Sequence, residues 1–173
     1  MSTKKNVMIK ILTSRMELGA SLFADDVEND EELGFDEEFI DESGEMPEPT
    51  EMWTEGRMVT GPSRVELVYE ESELSGMEGS VTSIGFDRAQ PGLISMMRSG
   101  VVSTAMVFEE HKRHICVYKT PFSEFEVCTV AKRVENRLLT DGVIELDYFI
   151  EVHGAQAEKC HMTISAQEVK DVL

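Results

Sequence analysis

Hydrophobic and polar residues alternate with a period of two along most of this 173-residue chain. The clearest stretch is VIELDYFIEV at 143–152. Ile144, Leu146, Tyr148, Ile150 and Val152 share one parity, while Glu145, Asp147 and Glu151 take the other. Successive side chains of a strand point to opposite faces, so this pattern predicts a half-buried strand. A helix would scatter the same residues around its circumference. Val65, Leu67 and Tyr69 oppose Arg64, Glu66 and Glu70 in the same way. The stretch 101–108 (VVSTAMVF) is rich in β-branched and aromatic residues, as strands prefer. Further strands are expected at about 6–16, 51–59, 93–98, 115–119, 122–130 and 161–166.

Turn signals punctuate these runs: Gly61-Pro62, Ser75-Gly76, Gln90-Pro91-Gly92, Ser99-Gly100, Asp141-Gly142 and His153-Gly154. No long helical period intervenes. Short strands joined by tight turns describe an antiparallel meander, whose edges are removed by closing the sheet on itself. The predicted fold is all-β, a closed antiparallel barrel of about eight to ten strands, with residues 1–173 forming one domain.

Composition changes that picture in one place. Residues 24–51 hold 14 of the 34 acidic residues and no Lys or Arg, which leaves 20 acids against 16 bases elsewhere. The formal charge of -18 is therefore a local property. A block so charged cannot bury enough apolar area to offset its ordering entropy, so 24–51 is read as an acidic, flexible insertion between the first two strands. The rest lacks the clustered basic face that phosphate binding requires, which excludes nucleic acid as a partner. The start, MSTKKNVMIKIL, has no continuous apolar core and is not read as a signal peptide. No run approaches the roughly 18 apolar residues of a membrane span. Three cysteines, Cys116, Cys128 and Cys160, are an odd count without an export signal and predict reduced thiols and a cytoplasmic setting.

Candidate chemistry is sparse. In the acidic block, Asp26, Glu28, Asp30, Glu32 and Glu37 match the spacing of a calcium loop, but Glu31 stands where such a loop needs glycine. His111, His114 and Cys116 lie close together, yet they fall in a turn between two strands, without CxxC or HExxH spacing. No nucleophile elbow, Walker loop or dinucleotide fingerprint is present. The reading is no metal, no cofactor and no assigned catalytic residue.

The stretch YEESELSGMEG at 69–79 carries more. Alternation sends Glu70 to the solvent face, while Glu71 shares the apolar face of Val65, Leu67 and Tyr69. In the strand at 93–98, Arg98 follows Ile94 and Met96 on one face. A carboxylate and a guanidinium that close two apolar faces are natural partners, because pairing limits the cost of burying either charge.

At these residues the sequence resembles a known family. YEESELSGMEG followed by VTSIGF, then RSGVVSTAMVFEE, HICVYKTPF and VENRLLTDGVIELDYFIEV are similar to the YwiB-like family. These are small bacterial proteins with a calycin-like, lipocalin-type β-barrel and no established biochemical function. The resemblance covers roughly 51–165 plus the first strand. It implies a calycin-like barrel with an internal cavity, and it carries over no catalytic residue. Two departures stand out. Thr120-Pro121 is followed by Phe122 and Ser123 where the family has a tyrosine and then a glycine, and the acidic insertion replaces a much shorter link.

The leading functional expectation is a non-enzymatic barrel that binds a small, partly apolar ligand. Its candidate ligand-binding residues are Tyr69, Glu71, Met96, Arg98, Met106, Phe108, Tyr118 and Thr120. The alternative is an interaction protein whose 24–51 insertion engages a basic protein partner. The weakest reading is an enzyme that uses Glu71 as a base, which an adjacent arginine opposes by stabilising the ionised form. No membrane partner is expected.

Overall fold

The computed structural model describes residues 2–17, 46–73, 76–153 and 157–170. Among the described residues, ten strands follow one another: β1 (Thr3–Glu17), β2 (Thr50–Thr60), β3 (Arg64–Glu70), β4 (Ser80–Asp87), β5 (Leu93–Gly100), β6 (Thr104–Glu109), β7 (Arg113–Lys119), β8 (Glu124–Arg137), β9 (Val143–Val152) and β10 (Glu158–Glu168). A single helical turn, α1 (Leu138–Asp141), lies between β8 and β9. All ladders are antiparallel, in the order β6-β5-β4-β3-β2-β1-β10-β9-β8-β7. The chain is thus an up-and-down meander in which β1 pairs with β10, from Val7 opposite Glu168 to Glu17 opposite Glu158. The all-β, nearly closed barrel agrees with the sequence pattern and is consistent with a calycin-like barrel.

The remaining seam lies between β6 and β7, and no continuous ladder closes it. Ser103 and Lys119 exchange two backbone hydrogen bonds of 2.9 and 2.8 Å, and the His111 amide donates to the Ala131 carbonyl at 2.9 Å. The Thr129 hydroxyl donates to the Val107 carbonyl at 2.9 Å. β6 therefore seals largely against inward side chains of β7 and β8.

Alternation does what the sequence predicted along most strands, but β9 departs from it after Tyr148, where Phe149 and Glu151 of the other parity are buried and Val152 is exposed. Val7, Ile9 and Ile11 of β1, Val65 and Leu67 of β3, Ile84 and Phe86 of β4, Ile144 and Leu146 of β9 and Ile164 of β10 fill the lumen. Removing these side chains from water supplies the dominant stabilisation, on the order of 1.5–3 kcal/mol for each large one. α1 puts Leu138 into the same cluster, and Gly142, at φ 74°, ends the turn in a left-handed conformation that glycine adopts without strain. This turn closes one end of the barrel, where the Asn136 amide also donates to the Pro91 carbonyl at 3.0 Å.

Several boundaries differ from expectation. Val101 and Val102 form a bend, and β6 begins only at Thr104. Phe122 sits in the β7–β8 turn and is 96% exposed, because Thr120 organises that turn instead of a strand. β8 extends past Val130 to Arg137 through an irregularity between Ala131 and Arg133, which shifts the parity of the following polar run and hides its strand character. The expected insertion at 24–51 lies, up to residue 45, outside the described residues. Residues 46–49 carry no regular structure, and Thr50 and Glu51 already belong to β2.

Candidate functional site

The end of the barrel opposite α1 holds an open cavity of about 930 Å³. Its walls include Ile11, Met52, Tyr69, Met77, Met96 and Met162, and its polar lining includes Glu71 and Arg98. Thioethers are flexible and polarizable, so a methionine-rich wall adapts to the shape of an apolar guest. The volume falls within the range of small-molecule sites, which combine apolar walls with a few placed polar groups.

The polar corner is built by register. Thr82 of β4 stands opposite Tyr69 on one side and opposite Arg98 on the other. Arg98 in turn stands opposite Thr104 of β6. All four side chains share the inward parity, and all are buried. Glu71 follows β3 directly, and its amide donates to the Ser80 carbonyl at 2.8 Å. That bond continues the β3–β4 pairing and turns the Glu71 carboxylate inward beside Tyr69.

The Arg98 guanidinium reaches Glu71 Oε1 at 3.2 Å, with side-chain exposures of 8% and 1%. The Thr82 hydroxyl donates to the same Oε1 at 2.5 Å, while Arg98 Nε donates to Thr82 Oγ1 at 3.0 Å. The three groups form a closed triangle, so neither charge is left alone in a low-dielectric site. Burial and the neighbouring Glu71 carboxylate push the Tyr69 phenol well above its ordinary range, keeping it a neutral hydroxyl. The arrangement offers a polar corner of zero net charge beside an apolar wall. One hydroxyl hydrogen bond and one guanidinium meet on the same carboxylate oxygen, so the Glu71 charge is paired within the wall.

Of the eight predicted ligand residues, Tyr69, Glu71, Met96 and Arg98 line this cavity. The other four lie elsewhere. Met106 is inward and half-buried against the core, opposite Met96. Phe108 is fully buried in the core, its ring 4.8 Å from that of Tyr148. Tyr118 stands one layer behind the wall, its hydroxyl 3.4 Å from the Met77 sulfur. Thr120 is a turn residue: its Oγ1 accepts from the Ser123 amide at 3.1 Å and the Phe122 amide at 3.3 Å. Sequence reasoning did not single out Thr82, Met52, Met77 or Met162. The signal for Thr82 was its parity with Ile84 and Phe86, which makes it a hydroxyl inside an apolar face.

The other candidate chemistry is dispersed. His111 holds a turn at φ 64°, His114 faces Glu109 at 3.3 Å, and Cys116 lies 3.7 Å from the Thr104 hydroxyl. Among the described residues, no three His, Cys, Asp or Glu side chains form a metal-holding group. Cys116, Cys128 and Cys160 are free, and burial pushes the Cys128 and Cys160 thiols up to about 11. Among the described residues, no helix is long and apolar enough to cross a membrane. The calcium spacing at 26–37 lies outside them.

Residues 37–164 match a family model described as a domain of unknown function, DUF1934. The chain belongs to this family. No curated protein matches it. Among solved structures, the crystal structure of ywiB protein from Bacillus subtilis aligns with a TM-score of 0.68 at 21% identity, covering 96% of this chain and 94% of that one. The YwiB-like resemblance in the sequence is therefore shown at the level of family and fold. The DUF1934 match includes the whole Tyr69–Glu71–Thr82–Arg98 corner and stops at Ile164, inside β10.

Proposed function

We propose that this protein is a non-enzymatic barrel that binds a small, partly apolar molecule in its open end. The observation that carries the reading is the cavity of about 930 Å³ in which a methionine-rich wall meets the buried Glu71–Arg98–Thr82 triangle. The apolar body of the ligand packs on Met52, Met96 and Met162, and its polar end lies against Glu71 and Arg98. The three free cysteines support a cytoplasmic setting as part of this reading.

Native mass spectrometry of protein purified gently from its own host tests the proposal. The expected result is a non-covalent small-molecule adduct that is lost when Glu71 and Arg98 are replaced together by Leu and Met. Recovery of the bare chain alone, or an adduct that the double replacement leaves in place, would count against it.

A further inference from the structure

We infer that the seam edge of β7 is a docking site for an extended peptide strand with acidic ends and apolar alternate residues. In the β7–β8 ladder, Lys119 directs its backbone groups away from β8, to Ser103. The Glu126 carbonyl, opposite Val117, accepts from the His153 amide on the β9 side. Paired groups alternate along an antiparallel ladder, so the N–H and C=O groups of Ile115 and Val117 also point away from β8. Among the described residues, none of these four groups has a hydrogen-bond partner.

The reason is geometric. β6 does not run beside β7 in the same sheet plane but lies against its inward side chains. Thr104 Oγ1 sits 3.7 Å from Cys116 Sγ, and Thr129 Oγ1 takes the Val107 carbonyl. β7 overlaps β6 and leaves its own edge open. The side chains there are apolar and outward: Ile115 is 51% exposed and Val117 44%. Below the edge, Met97 and Ala105 stand opposite each other on the outward faces of β5 and β6. Met97 is 51% exposed, and together they form an apolar shelf.

A strand laid along this edge makes main-chain hydrogen bonds to Ile115 and Val117, the mode of β-strand addition. Its alternate side chains rest on Ile115 and Val117 on one face and on the Met97–Ala105 shelf on the other. The outward parity of β7 reads Arg113, Ile115, Val117, Lys119, cationic at both ends and apolar between. The Lys119 ammonium is 59% exposed and makes only a 3.6 Å contact with Glu124. Charge complementarity selects an incoming strand that carries carboxylates at both ends. An exposed edge without such a partner is an aggregation hazard.

The probe is a fluorescein-labelled heptapeptide, Glu-Thr-Val-Thr-Leu-Thr-Glu, titrated against the full chain by anisotropy. Saturable binding is expected, weakened at least tenfold in Val117→Pro and weakened by salt. Proline at 117 removes an N–H that points to the seam and leaves the β8 ladder intact. Val117→Thr keeps that N–H and is expected to bind within about twofold of the native chain. If Val117→Pro does not fold, Ile115→Lys, which sets a charge on the edge, takes its place. No saturable binding, or binding indifferent to these edge substitutions, would overturn the proposal. So would a peptide-free dimer dissolved by Val117→Pro, which would assign the edge to a second copy of the chain.

Discussion

At the scale of single residues, the Glu71–Arg98 pair decides most. Taking two charges out of water is costly, and their attraction repays it only when geometry is good and the remaining hydrogen bonds are satisfied. Here Thr82 supplies the third member. Arg98→Met leaves a buried carboxylate without its cation and is expected to cost about 3–5 kcal/mol in urea unfolding. Replacing Glu71 by Leu at the same time is expected to recover all or most of that loss. A pair kept for ligand recognition is one whose joint removal spares stability and abolishes binding.

A second residue-scale prediction concerns the outer face. His161 and Arg133 both bond Asp147, at 2.5 and 2.8 Å. Burial raises the Asp147 carboxyl, but these bonds outweigh it and hold the group below its ordinary value of 3.8. A carboxyl lowered on folding stabilises the native state above its ordinary value and loses that contribution as pH falls through the lowered one. Asp147→Asn should therefore unfold at lower urea than the native chain at pH 7. Between pH 3.8 and more acid conditions, its stability should fall less steeply. Equal slopes in that acid range would show that Asp147 contributes nothing through its charge.

At the scale of elements, strand alternation was legible because both faces of each strand have opposite demands. VIELDYFIEV reads as β9 from the alternation of Ile144, Leu146 and Tyr148, although Phe149 and Glu151 are buried as well. Glu71 and Arg98 were legible for the same reason, as charges on apolar parity. Legibility failed where a local device overrode the pattern. The irregularity at Ala131–Arg133 reversed the parity of β8, and the Thr120 turn took Phe122 out of the strand assigned to it. The cavity walls were only half legible, since Met52, Met77 and Met162 lie far apart in sequence and meet only through barrel closure. α1 was invisible, being a four-residue turn held by tertiary packing. Leu138 plugs the closed end, so Leu138→Ala is expected to cost about 2–5 kcal/mol by leaving a void in the core. A thermal melt unchanged by that substitution would show that α1 is not part of the core.

At the scale of the whole molecule, the barrel is asymmetric along its axis. One end is filled by aliphatic side chains and closed by α1. The other keeps a cavity in which a methionine-rich wall meets the paired Glu71 and Arg98. The seam between β6 and β7 breaks the symmetry around the axis. It is the place where the sheet offers backbone groups to something outside itself.

The central claim is that the cavity receives a guest, and filling it tests this most directly. Met96→Trp projects an indole into the cavity from β5, and binding of an environment-sensitive apolar dye can be titrated against both chains. The account predicts saturable binding to the native chain, weakened at least tenfold (about 1.4 kcal/mol) in the folded variant. Equal affinity in the two chains would contradict it.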